Sequence, residues 1–351
     1  MIKRFCGVRM TGRVGISDVA AAAGVSISTV SVALNDVEGA RISPQTRERV
    51  RQIAQSLGYA PNRLARGLRR QRSGIVGFVG DRVATTPYAV RMILGAHEAF
   101  LEADQLMVLV ETQGDADLET RQITTLRQHQ VDGIVYAAMY HRHLDELPEA
   151  LHGVPTVLLD AQTNDPTVSW VVPDEAAGAR EAAAELLTHG HRRIGFLTNE
   201  NDIPATGLRL RGYRAALKRA GVPFDPTLVS SGSPNADGGY RAAHHLLDRR
   251  DRPTGLFCFN DVMAMGAYRA AGEMGLRIPR DLSIVGYDNM HPLVTGLVPA
   301  LTTIQLPHYE MGVWAARQLL AMTSAPPERV RRARLRAPLI RRGSVTSPPD
   351  L

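Results

Sequence analysis

The chain has 351 residues and a 44% apolar share, enough for two or three compact units with sizeable cores. It contains no apolar run near the roughly 18 residues that a membrane crossing needs. Its two cysteines, Cys6 and Cys258, are too few for a disulfide framework, which fits a reducing cytoplasm, and neither is expected to hold a metal.

Charge is unevenly spread. Residues 1–74 carry thirteen Lys or Arg against four Asp or Glu, a balance of +9. The whole chain is +6, so the remainder sums to −3. A basic head on a slightly acidic body points to a polyanion partner for the head alone. Residues 1–15 are expected to be a disordered extension without an apolar segment or cleavage site, hence no secretory signal. Met10 is an alternative start, because recognisable structure begins only at Ile16.

From residue 16 to 60 the pattern predicts three helices. Ser17 is placed as the first N-cap, with Asp18 in the first turn. Ala20 is small enough for a close helix contact, and Gly24 supplies the positive φ of a tight bend. Ser26 then caps a second helix that turns Val30 and Leu34 inward. Ser43 caps a third, with Pro44 at its first position and its end near Gly58. Ile53 and Leu57 are expected on its buried face, leaving Arg47, Arg49 and Arg51 for phosphates. Small contact, bend and apolar anchor at Ala20, Gly24 and Val30 are the spacing of a helix-turn-helix. Beyond it, residues 61–74 (PNRLARGLRRQRSG) form a basic segment that Asn62 can cap as a short helix, with Ala65 and Leu68 on one side.

The run ISDVAAAAGVSISTVSVALN followed by ISPQTRERVRQIAQSLGYAPNRLARGL resembles the DNA-binding headpiece of the LacI family of bacterial transcription regulators. The resemblance extends from residue 16 to about 345. It implies that the second helix lies in the DNA major groove. Base readers would be Ile27 and Ser28, with Thr29 and Ser31 near phosphate; Ser17, Ser26, Val32 and Asn35 complete the set of DNA-facing candidates. The family usually carries arginine where Val32 stands, and valine can make only apolar contact, for instance with a thymine methyl. Residues 61–74 would be a hinge helix that orders on DNA. There Asn62, Arg63, Ala65 and Arg66 are candidate contacts and Leu68 is a minor-groove wedge. Gly67 costs that helix about 1 kcal/mol against alanine.

From residue 75 onward short apolar runs (GIVGFVG, QLMVLVE, DGIVYAA, VPTVLLD, RIGFLTN, TGLFCFND, LSIVGYDN) alternate with amphipathic helical stretches. That order argues for parallel sheets of βαβ units, and the length argues for two of them. With the resemblance added, the expected fold is an all-α helix-turn-helix headpiece plus an α/β bilobed body of the periplasmic-binding-protein type, type I, with two parallel sheets. By resemblance, residues 75–346 form the effector-binding and dimerisation domain. Lobe 1 takes about 75–172 and 306–335, and lobe 2 about 173–305 and 336–346. Ligands in such sheets sit beyond the carboxyl ends of strands, which singles out Asp160, Asn260 and Asp288. Alignment to the family makes Arg209, Asn260 and Asp288 the leading effector contacts, with Asp160 next and Tyr88, Pro173, Leu306 and His308 lining the cleft. Asp261 is expected to cap the helix that follows it. The family pattern VxxDNxxGA appears as VVPDEAAGA, with Glu175 in place of asparagine.

The resemblance implies a sequence-specific transcriptional regulator, a repressor, whose grip on a pseudo-palindromic operator is set by a small effector, most often a sugar. Ligand would close the cleft and rotate the first lobes, parting the hinge helices. A purine-type corepressor would reverse the sign, and a solute-binding protein is the alternative from another class. No GxGxxG follows a strand, and GxxxxGK[ST], GxSxG and HExxH are absent, so neither catalysis nor a cofactor is expected. His189 and His191 are read as helix-end residues rather than metal ligands. The closing SVTSPPDL is too proline-rich for a tetramer-forming heptad helix, so a homodimer without membrane contact is expected.

Overall fold

The computed structural model describes residues 14–34, 42–59, 72–324 and 329–349. The chain divides into two compact units, one ending at Ser73 and the other beginning at Gly74.

In the first unit α1 (Ile16–Ala23), α2 (Ile27–Leu34) and α3 (Pro44–Ser56) close around Val19, Ala20, Ala23, Val30, Ala33, Val50 and Ala54. Gly24 adopts φ +63°, the left-handed geometry that lets α2 turn away immediately after α1. The Thr29 amide donates to Ser26 Oγ at 3.1 Å, and the Thr46 amide to Ser43 Oγ at 3.2 Å, so both serines cap as expected. Two expectations need correction. Gly15, not Ser17, holds the N-cap of α1, because the Asp18 carboxylate reaches back to the Gly15 amide at 2.8 Å. Leu57 is 38% exposed: it sits at the C-cap of α3, where the inward face has already ended with Val50 and Ala54.

The second unit contains two six-stranded sheets. The first comprises β1 (Ile75–Asp81), β2 (Leu106–Glu111), β3 (Ile134–Leu144), β4 (Thr156–Thr163), β5 (Ser169–Pro173) and β11 (Arg332–Leu335), in the order β11-β5-β4-β3-β1-β2. The second comprises β6 (Ile194–Asn199), β7 (Val229–Gly232), β8 (Gly255–Cys258), β9 (Ser283–Asp288), β10 (Thr302–Gln305) and β12 (Leu339–Ile340), in the order β12-β10-β9-β8-β6-β7. Both repeat the doubly wound 2-1-3-4-5 order and add one late edge strand; among the described residues only the β10–β12 pair is antiparallel. The chain passes from sheet to sheet three times: between Pro173 and Glu175, between Gln305 and His308, and between Leu335 and Leu339.

Helices α4 (Val90–Glu102), α5 (Ala116–Gln128) and α11 (His308–Met322) accompany the first sheet. Helices α6 (Glu175–Thr188), α7 (Pro204–Arg219), α8 (Ala236–Leu247), α9 (Asp261–Glu273) and the short α10 (Leu293–Gly296) accompany the second. Apolar side chains therefore cover both faces of each sheet, which is why the central strands read as unbroken hydrophobic runs. In the second sheet Phe196 and Phe257 stack at 4.7 Å between ring centres, with Tyr213 and Tyr287 beside them. The last segment is fastened to this sheet. Arg341 Nε donates to Glu185 Oε1 at 2.9 Å and its Nη2 to Oε2 at 2.8 Å. Buried Ser344 donates to the Ile284 carbonyl at 2.6 Å and accepts from the Thr302 amide at 2.8 Å.

Candidate effector cleft and DNA-facing surface

On α2 the inward residues Val30 and Ala33 are fully buried, which turns Ser26, Ile27 and Ser28 to the outside. Ile27 is 52% exposed, a large apolar side chain at the first position of the helix. Ser26 Oγ lies 2.7 Å from Ser28 Oγ and 2.8 Å from Thr29 Oγ1, forming a hydroxyl cluster beside it. Ser17 is exposed on α1, while Thr29, Ser31 and Val32 are half-buried. Apart from hydroxyls, this helix offers no charge, so contact with base edges would rest on methyl and hydroxyl groups. Asn35, Asn62, Arg63, Ala65, Arg66 and Leu68 lie outside the described residues.

In the body, chain segments far apart in sequence converge on Arg209, in the second turn of α7. Pro204 stands at the first position of that helix, where its missing N–H costs nothing. Arg209 is 4% exposed. Its Nε donates to Glu175 Oε2 at 2.8 Å and its Nη2 to Glu175 Oε1 at 3.2 Å, while Nη1 donates to the Phe259 carbonyl. The guanidinium lies over the rings of Tyr287, at 3.7 Å, and Phe259, at 4.3 Å. Asp288 Oδ1 stands 3.9 Å from Nη2, a partner in charge rather than in a hydrogen bond.

Asp160 completes the cluster. It sits in β4 at φ +56°, opposite a bulge where β3 pairing jumps from Ala137 to Arg142. The extra residues of that bulge include Tyr140 and His141. Asp160 Oδ1 is buried without a protein hydrogen-bond partner. Asp288 takes φ +108° at the end of β9, an uncommon geometry for a residue with a side chain. Burial pushes both carboxyls well above the usual range; Glu175 adds to this at Asp160, and Arg209 only partly offsets it at Asp288. Burial also opposes charge on Glu175, but the Arg209 guanidinium outweighs it and holds that carboxyl below its ordinary value.

Tyr88 and His308 stack at 6.1 Å, and His308 Nδ1 lies 2.7 Å from the Tyr88 carbonyl, so Nδ1 carries the proton and Nε2 is an acceptor. That Nε2 is buried and has no protein partner. Burial drives the His308 imidazole down to about 4. Between there and the ordinary value near 6.5 the unfolded chain binds a proton that the folded chain refuses. The stability tied to this group is therefore complete above about pH 6.5 and is lost as pH falls through 4. His308→Gln is expected to flatten that loss: unfolding free energies from urea titrations at pH 5 and pH 7 should differ less in the variant, by up to about 2 kcal/mol.

Four sequence-predicted positions behave differently from the rest. Asn260 is the N-cap of α9, its Oδ1 accepting from the Met263 amide at 2.7 Å and its Nδ2 donating to the Pro234 carbonyl at 3.1 Å. Asp261 is therefore not the cap. It is fully buried, accepts from Thr303 Oγ1 at 2.6 Å and the Met290 amide at 2.8 Å, and burial raises it to about 7. Pro173 and Leu306 are buried at two of the passages between sheets. Sequence reasoning missed two neighbours. Glu175 had been noted only as a departure from a pattern, and its pairing with Arg209, 34 positions on, carries no local signal. His141 reaches the cluster only because of the β3 bulge. It is buried among the charges of Glu175 and Arg209, and Gln162 lies within reach without making a well-formed hydrogen bond. His191, at the end of α6, makes structural contacts instead: Nδ1 to Thr254 Oγ1 at 2.9 Å and Nε2 to the Thr346 carbonyl at 2.8 Å.

A helix-turn-helix unit in one chain with a two-sheet binding body defines a DNA-binding regulator governed by a small molecule. Residues 15–62 match the bacterial regulatory proteins of the lacI family, and residues 73–342 match the periplasmic binding proteins and sugar binding domain of that family. The ribose operon repressor of Escherichia coli K12 is 33% identical over 331 residues, covering 94% of this chain and 99% of that protein. The Lac repressor dimer bound to operator and the anti-inducer ONPF superposes with a TM-score of 0.80 at 25% identity, covering 96% of this chain and all of the other. A LacI family regulator from Enterococcus faecium with bound ribose gives 0.65 at 27% identity over 78% of this chain and all of its own. The chain belongs to the LacI family of bacterial transcriptional regulators.

Proposed function

We propose that this protein is a cytoplasmic repressor, not an enzyme, that binds a pseudo-palindromic operator as a homodimer and changes its grip when a small effector, a sugar, occupies the cleft around Arg209. The single observation that supports this reading is the pairing, in one chain, of an outward-facing helix α2 with a buried polar cluster at the carboxyl ends of β4 and β9. Ser26, Ile27, Ser28, Thr29, Ser31 and Val32 are the proposed major-groove contacts, supported by Ser17 on α1. Asn35 and the segment holding Asn62, Arg63, Ala65, Arg66 and Leu68 are assigned to DNA by family resemblance. Asp160, Arg209, Asp288, Tyr88 and His308 are the proposed effector contacts. Asn260, Pro173 and Leu306 shape the walls. Effector acts by favouring one arrangement of the two sheets over another, and the difference in its affinity for the two sets how far operator binding moves.

The direct test is selection of duplexes from a random pool by the full-length protein, followed by competition with sugars. Recovery of a two-fold symmetric site, released or tightened by one sugar, is the expected result. No preference over bulk DNA would overturn the reading. In the same selection Val32→Arg should change base preference at one symmetric pair of positions, because a guanidinium can bond guanine bidentately where valine cannot. Identical preferences in both proteins would remove Val32 from the readout.

A further inference from the structure

Resting on the reading of the Arg209 cleft as the effector site, the hydrogen-bond inventory there narrows the ligand's chemistry. Arg209 has committed three of its donors before any ligand arrives, two to Glu175 and one to the Phe259 carbonyl. Its guanidinium also lies over two aromatic rings, Phe259 and Tyr287. Arg142, the other cation close to Asp160, is paired with Asp81. Beyond one N–H left on each Nη of Arg209 and the Tyr88 hydroxyl, what the cluster still offers is acceptors. Asp160 Oδ1 and His308 Nε2 are buried and unpartnered, and the Asp288 carboxyl faces Arg209 without a hydrogen bond between them. Three carboxyl groups, Glu175, Asp160 and Asp288, thus surround one guanidinium.

We infer that the effector is an uncharged polyhydroxy compound that donates hydroxyl hydrogens to Asp160, Asp288 and His308 Nε2, and that Glu175 shuts out phosphorylated and carboxylated relatives by occupying Arg209. A hydroxyl brings the donor that each open acceptor lacks. A phosphate or carboxylate group brings further acceptors and negative charge, into a low-dielectric site where repulsion by Glu175, the carboxyl that Arg209 keeps ionised, is poorly screened. Were asparagine at position 175, as in the family pattern, the guanidinium would keep a free bidentate edge suited to such anions. Glu175 is therefore a selector of ligand charge, acting through Arg209.

The test is isothermal titration of the full-length protein with matched probes: ribose, ribose 5-phosphate, glucose, glucose 6-phosphate, gluconate and glucosamine. Wild type is expected to bind at least one uncharged sugar and its anionic partner at least 100-fold more weakly. Glu175→Asn should shrink that ratio at least tenfold, and Glu175→Gln, which keeps the side-chain volume, should act in the same direction. The inference is overturned if a charged probe binds wild type within threefold of its parent, if no uncharged sugar binds, or if folded variants leave the ratio unchanged. Should both variants fail to fold, the wild-type ratio alone still decides. Duplex selection run in parallel separates the two readings: specific DNA binding with the wrong ligand pattern leaves the regulator standing and removes only the charge rule.

Discussion

Arg209→Leu is expected to destabilise the body by about 3–5 kcal/mol, read as a lowered urea midpoint at unchanged slope. The size follows from what the substitution leaves behind. Glu175 is 3% exposed and Asp288 9%, so neither carboxylate can recover its lost partner from water. Leucine keeps an apolar side chain against Phe259 and Tyr287, so the stranded charge is the larger part of the effect. The double variant Arg209→Leu with Glu175→Gln should regain part of the loss, because the carboxylate that took two of the guanidinium's hydrogen bonds is then no longer stranded. A loss below about 1 kcal/mol in the single variant would mean that water or side-chain movement already satisfies Glu175, against the burial described above.

The second large effect is expected at the crossing of α4 and α11. A Cβ placed on Gly95 would collide with the Tyr309 carbonyl oxygen, and one on Gly312 with the Met92 carbonyl oxygen. Both obstacles are backbone, so no side chain can swing aside. Gly312→Ala should therefore cost about 3 kcal/mol through forced separation of the helices, near the upper part of the usual overpacking range. Gly95→Ala should cost a similar amount. The double variant should cost clearly less than the two together, because one separation accommodates both methyl groups. Thermal or urea unfolding of the three proteins measures this directly, and full additivity would show that the two contacts are relieved independently.

Much of the architecture was legible because the central strands are buried on both faces and announce themselves as runs such as GIVGFVG and LSIVGYD. The strands that escaped notice are short or polar: SWVVP, VSSG, TTIQ, Arg332–Leu335 and Leu339–Ile340. They lie toward sheet edges, where neighbours rather than their own residues decide the pairing. Helix α11 is likewise hard to read from the sequence, since the same glycine that lets it touch α4 weakens its apolar period. Of the cleft, residues that directly follow an apolar strand could be found from position alone, as with Asp160 and Asp288. Glu175 and His141 could not, because their roles depend on a partner in another helix and on a bulge. The cap exchanged between Asn260 and Asp261 shows the same limit. Which of two adjacent polar residues turns back to the helix depends on Thr303 and the Met290 amide, more than 25 positions away.

The triple passage of the chain between the two sheets has a consequence for how the body can be divided. Neither half is a contiguous stretch, since each takes its outermost strand from the far end of the sequence. Cutting one connection would still leave two tethers, so a nicked molecule should hold together and keep its ligand. Deleting everything after Leu335, by contrast, strips β12, the Arg341 clasp and Ser344 from a region that the earlier sequence cannot replace. Fragments chosen as if the halves were beads on a string should be insoluble, whereas a circularly rearranged gene that respects all three tethers should not.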